Sequence, residues 1–442
     1  FPCIPPCRGT LHCDPGSDES LALMKGWIEN CQDSHQLCEM PQQVGGPKRL
    51  LQCLSDGSVR LVETQSRPQR CGYIALSYCW GDGKAVPKTT EKGPNKTLNL
   101  HQRGIPGESL PRLFQEAVAL ARGLNIPYIW IDSLCIIQDS DKEKEEELMK
   151  MSDIFCDALV VVVAASAQSP LSSLLRDKPQ SDQGHTWRTA SLIGYQGMDL
   201  DVKFRKRAWR AHFSPEITDR TPIGKRAWCF QEKLLASRCL VFGDDEVVWE
   251  CRSCCLCECA GEQEHFSVGK EFTSGSAPTM RPYIQWKPPS TEHGPFQIDG
   301  MDTHSVYAFW ESAVYHYSAR ALSFKTDRLP AISAVASIFA KVTRDCYLAG
   351  LWRNELLVGL SWHASWFTNV GLKDDRRPHQ EYIAPTWSWA SLPRGVSYSH
   401  FLRWHRTQDS RDADLDAAVL DAWTTLEGQN PYGRVSDGAI VL

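Results

Sequence analysis

Apolar positions along the chain fall into short runs separated by stretches of helical period, most clearly between residues 73 and 165. Y-I-A-L-S-Y-C (73–79), Y-I-W-I-D (128–132) and L-V-V-V-V-A-A (159–165) are short, β-branched or aromatic, and predict strands. Two amphipathic stretches alternate with them. In the first, Leu113, Phe114, Ala117, Val118 and Ala121 form one stripe, with Ser109 expected as N-cap, Pro111 near the first turn and Gly123 as the stop. In the second, which starts near Asp141, Leu148, Met151, Ile154 and Phe155 supply the apolar side, and K-E-K-E-E-E reads as a solvated face. This alternation predicts βαβαβ and a parallel sheet. The third run is apolar throughout, as a strand covered on both faces requires.

The flanks extend the pattern. Residues 48–64 predict a β-hairpin about Asp56-Gly57. K-R-A-W-C-F-Q-E-K-L-L from Lys225 predicts a helix, and C-L-V-F, G-D-D and E-V-V-W-E-C after it a second hairpin. Residues 168–222 lack periodicity and read as an insertion. The polar stretch 81–108 is too long for a passive connector and is expected to act as a lid or binding loop. Helical patterns return over 303–340, and the Trp-rich remainder is strand-like. The expected divisions are 1–66, a Cys/His segment with a hairpin; 67–262, the α/β domain; 263–300, a connection; and 301–442, a C-terminal Trp-rich α+β region.

Composition narrows the class. The 442 residues are 42% hydrophobic and 23% charged, a globular balance. A net charge of −5 without a long basic run argues against nucleic acid or an anionic membrane as partner. No apolar run approaches the roughly 20 residues that span a bilayer, and the first residues lack the apolar core of a signal peptide. Eighteen cysteines in so long a chain, several inside apparent core strands, suit reduced thiols in a cytoplasmic protein better than a disulfide scaffold.

Chemistry is expected where the strands end, because ligands of open α/β sheets bind outside their carboxyl ends. Ser77, Trp80, Gly81, Asp132, Ser133 and Cys135 lie there. Cys135 is a candidate nucleophile that would need a base, with His101 and His35 as candidates. Elsewhere Cys31, His35 and Cys38 fall at i, i+4 and i+7, one face of a helix, and suit a structural Zn²⁺. The fourth ligand is sought in W-E-C-R-S-C-C-L-C-E-C, with Cys251 foremost among Cys254, Cys255, Cys257 and Cys259.

Three blocks then stand out together: Y-I-A-L-S-Y-C-W-G, L-P-R-L-F-Q-E-A-V-A-L-A-R-G-L-N-I-P-Y-I-W-I-D-S-L-C-I-I-Q-D and R-A-W-C-F-Q-E-K-L-L-A-S-R. With the W-x3-C-x3-H-x2-C stretch from Trp27 to Cys38, D-R-L-P-A-I-S at 327–333, Y-L-A-G-L-W at 347–352 and A-P-T-W-S-W-A-S at 384–391, they resemble the fungal heterokaryon incompatibility (HET) domain. The resemblance runs over roughly residues 20–395 and implies a TIR- or flavodoxin-like core and a part in non-self recognition and cell death. Trp228-Cys229-x-x-Glu232 is similar to the W-C-x-x-E of TIR domains, some of which hydrolyse NAD. By that likeness Glu232 is the candidate catalytic carboxylate, Asp132 a second, and Trp80 and Trp228 contacts for a nucleotide such as NAD.

The chain also departs from the family pattern, with Ile137 where Asn is usual, K-E-K-E-E-E for the usual helix start, Phe155 for a common Tyr, and the cysteine cluster. Two other readings therefore stay open: an enzyme repurposed for fungal secondary metabolism, and a recognition protein without chemistry that binds a protein partner or a second copy of itself.

Overall fold

The computed structural model describes residues 15–39, 46–64, 72–94, 96–175, 188–195, 198–204, 221–244, 246–258, 285–286, 296–297, 303–365, 381–398 and 418–442. The connection expected over 263–300 lies almost wholly outside them, as do Cys3, Cys7, Cys13, Cys71 and Cys259.

Strand β3 (Tyr73–Ser77) is the axis of an eight-stranded sheet. It pairs in parallel with β4 (Tyr128–Trp130) on one edge and β5 (Val160–Val163) on the other. All five side chains of β3 and all four valines of β5 are buried, so the helices cover both faces, as the unbroken apolar runs require. Before β3, β1 (Arg49–Cys53) and β2 (Val59–Glu63) form the predicted hairpin, and β1 pairs antiparallel with the far edge of β4. Gly57 takes φ +87° in its turn.

The 168–222 stretch contains a hairpin of β6 (Arg188–Tyr195) and β7 (Met198–Phe204). Next, β8 (Arg238–Phe242) adds in parallel to β5, and β9 (Val247–Cys251) and β10 (Cys255–Cys257) close that side antiparallel. The sheet order is β10-β9-β8-β5-β3-β4-β1-β2.

The Ser109 cap and the solvated face of the acidic run are corrected. The first crossover helix runs Arg112–Gly123 with Pro111 as its cap residue, and Ser109 belongs to the preceding 3-10 turn. Its buried stripe is the expected one, and the helix ends at Gly123 as expected, with Asn125 at φ 60° turning the chain beyond it. The acidic helix is two pieces, Asp141–Met149 and Met151–Cys156, and its charges are not a purely solvated face. Glu143 pairs with buried Arg49 and Glu146 with Lys48. Glu145 accepts from the backbone of Gln429 and Asn430. Glu147 is fully buried, and burial raises its carboxyl. A charged run looks solvated in sequence because sequence does not show which neighbours carry the matching charge.

The C-terminal part packs on the same core. Its helices Thr303–Ser318 and Ser333–Thr343 enclose Trp310, Phe339 and Trp352, whose rings sit 5.3–5.5 Å apart. The Gly350 carbonyl accepts from the indoles of both Trp310 and Trp389, at 3.0 and 2.9 Å. No helix among the described residues is long and apolar enough to cross a membrane.

The Met151–Cys156 helix is tied to β4 by an edge-to-face contact of Phe155 with Trp130, centroids 5.6 Å apart. Both rings are buried. Phe155→Ala is expected to lower stability by ~3–5 kcal/mol, read as a fall in the denaturant midpoint; Phe155→Tyr should cost less.

Candidate functional site

The carboxyl ends of β3 and β4 and the start of the Trp228–Leu235 helix meet at one rim. Chain direction explains why. Parallel strands deliver Ser77–Trp80 and Asp132–Cys135 to the same end of the sheet, and the helix enters β8 after packing across β3. Asp132 is the centre of a donor shell. Tyr78 Oη donates to its Oδ1 at 2.9 Å, Trp80 Nε1 to its Oδ2 at 2.8 Å, and the Ser133 amide to Oδ1 at 2.6 Å. Glu232 sits beside it and accepts from Ser77 Oγ. Trp80, Asp132, Arg226 and Glu232 are half-buried, so the rim is reached from solvent while its polar floor is covered.

The electrostatics follow from that setting. Burial pushes the Glu232 carboxyl up to about 7, and the Asp132 charge adds to the rise; the Ser77 hydroxyl and the Arg226 guanidinium pull the other way. Burial also raises Asp132, against the Tyr78 and Trp80 donors. Arg226 stands between the two acids electrostatically and also bonds Cys79. One guanidinium thus serves two carboxyls, and the pair can hold a proton near neutrality.

Several sequence expectations change here. Cys135 is wholly buried, and burial pushes its thiol up to about 12, so little thiolate exists and no attacking sulfur faces the rim. His101 is bonded to Thr89 Oγ1 at 2.8 Å, and His35 lies beside Cys251. The Trp228 indole donates to Asp327 at 3.3 Å, which commits it to the C-terminal part. Gly81 is exposed at φ 63° and turns the chain against Ser169. The 81–108 stretch is stitched to the rim: Thr89 bonds Ser133, Leu134 and Gln138 through backbone and hydroxyl. Lys88 Nζ lies 5.5 Å from the Trp80 ring centroid.

Two residues were missed. Tyr78 reads in sequence as core, and Arg226 sits inside R-A-W-C-F-Q-E without a visible partner. A cation six residues before the candidate Glu was the available signal.

At the opposite end of the sheet, Cys31, His35, Cys38 and Cys251 bring one ligand atom each to within 4.8 Å of one another. They do not share one helical face. The Asp18–Ser34 helix stops at His35, and a 3-10 turn, Gln36–Cys38, carries Cys38 round. Cys251 is placed by pairing with Arg238 across β8 and β9.

The raised Glu232 proton has a consequence for stability. Its folded-state value lies above the ordinary 4.5, so the native protein holds the proton more tightly than the unfolded chain. This contribution is full below about 4.5 and is lost as pH rises through about 7. Glu232→Gln should flatten the pH dependence of stability, gaining on the parent by up to ~3 kcal/mol above neutrality. Denaturation at several pH values checks this; equal slopes for both proteins would show that the carboxyl is not raised.

Comparison with known proteins finds likeness in the stretch that carries this rim. The family model described as Heterokaryon incompatibility protein (HET) matches residues 73–232, from the first residue of β3 to Glu232 itself. "Heterokaryon incompatibility protein 6, OR allele" of Neurospora crassa is 33% identical over 116 residues, 25% of this chain. The match covers 17% of that relative's own length. No solved structure matches the chain. The likeness to the HET family is carried by residues 73–232, the stretch that builds the middle of the sheet and ends on Glu232.

Proposed function

We propose that the rim binds a ribose-bearing nucleotide of the NAD class and cleaves its N-glycosidic bond, as the active part of a non-self or cell-death response. The observation that carries this reading is the convergence of Asp132 and Glu232, from separate elements, beside Arg226 at a solvent-accessible strand end. The response is inferred from the matched family and from the name of the Neurospora relative.

The strand order supports the site's position. Counted along the chain, the parallel strands β3, β4, β5 and β8 lie in the order 2-1-3-4. That order opens the flavodoxin-like series, whose ligand sits at the switch point between its first and third strands. Here the switch point is between β3 and β5, at Ser77.

Glycosidic cleavage needs a carboxylate near a ribose whose anomeric carbon becomes cationic. Ionised Glu232 stabilises that charge or holds the ribose hydroxyls. The C–N electron pair leaves with nicotinamide, which departs neutral. Water bonds to the anomeric carbon, and its proton passes to Asp132, whose raised affinity suits it as acceptor. Trp80 supplies a stacking face, and Arg226 and Lys88 positive charge for the diphosphate.

Purified protein incubated with NAD⁺ should release nicotinamide, with kcat/KM rising with pH through about 7 as Glu232 ionises. Glu232→Gln should lower the rate at least ~100-fold with the fold intact. A folded protein that releases no nicotinamide at high enzyme concentration removes the hydrolase reading and leaves a binding module.

A further inference from the structure

We infer that Cys31, His35, Cys38 and Cys251 hold a structural zinc ion that clamps the N-terminal helix to the β9–β10 edge of the sheet. The donor set is three sulfurs and one imidazole nitrogen, which suits tetrahedral Zn²⁺. Ligands at about 2.0–2.3 Å from zinc stand under 4 Å apart, and His35 Nδ1 is already 3.4 Å from Cys251 Sγ. The three cysteines are at most 5% exposed.

Hydrogen-bond donors converge on two of the sulfurs. The amides of Ser253 and Cys254 donate to Cys251 Sγ at 3.4 and 3.3 Å. Arg238, itself 2% exposed, points Nε at Cys31 Sγ from 3.2 Å. The same guanidinium also donates to the Cys38 carbonyl, so it holds both N-terminal cysteines in place. Three thiolates, a neutral imidazole and Zn²⁺ sum to one negative charge, and Arg238 cancels it. Such second contacts orient and stabilise metal ligands.

Cys254 lies 3.6 Å from Cys251. It stands outside the tetrahedron and acts on Cys251 as a hydrogen-bond neighbour. Four protein ligands leave no open position for substrate, and the cluster sits at the Arg238 end of β8, away from the carboxylate rim. The ion therefore holds structure, bridging residues 31 and 251.

The test is metal content of the full chain, purified with thiols kept reduced and no added chelator. Native mass spectrometry and elemental analysis should give one zinc per chain. Replacement by Co²⁺ should give the intense visible absorption of a tetrahedral thiolate site. Cys31→Ser and Cys38→Ser should lose most of the metal, whereas Cys254→Ser should keep it. Since ligand variants can fail to fold, the wild-type stoichiometry decides. Folded wild-type protein with under half an equivalent of zinc and no Co²⁺ spectrum would overturn the inference, and so would loss of metal in Cys254→Ser equal to that in Cys31→Ser.

Discussion

The main-chain pairing of one five-residue strand sets the rest of this structure. Tyr73–Ser77 has a parallel partner on each edge and packed side chains on each face, so its backbone polar groups have nowhere to turn except the ladder. A strand so enclosed can release the chain only at its ends. The residues after Ser77 must emerge where β4 also releases Asp132. The rim is thus a by-product of sheet geometry, and the polar side chains found there are those the sheet itself could not absorb.

What those side chains do is settled by a contest between burial and charge. Asp132 gathers three hydrogen-bond donors yet remains raised, because desolvation outweighs them. Glu232 has the Ser77 hydroxyl and a share of Arg226, and its proton is held near neutrality. The single guanidinium of Arg226 opposes both rises without cancelling them.

Much of the fold was legible because periodicity is a local property. The runs at 73–79, 128–132 and 159–165 became strands, and both flanking hairpins formed where turn residues interrupted apolar stretches. Cys251 could be named as a neighbour of Cys31, His35 and Cys38 because the cysteine-rich stretch it opens offered a fourth soft ligand. What escaped depended on surroundings. Cys135 was a candidate nucleophile only by its place at a strand end; the Arg49 guanidinium bonds its carbonyl and the core closes over its sulfur. Arg226 and Tyr78 gained meaning only once Asp132 and Glu232 stood beside them. Glu147 was lost in a charged run although it alone of that run is fully buried.

The sheet's edges bear on what can be inherited or excised as a unit. The family-matched stretch stops at residue 232, before β8 begins, and starts after β1 and β2. Cut at those borders, β5 and β4 would each present a bare row of amides and carbonyls, an invitation to pair with other chains. In this chain the matched segment is therefore a kernel rather than a module, and the strands outside it serve as its selvedge.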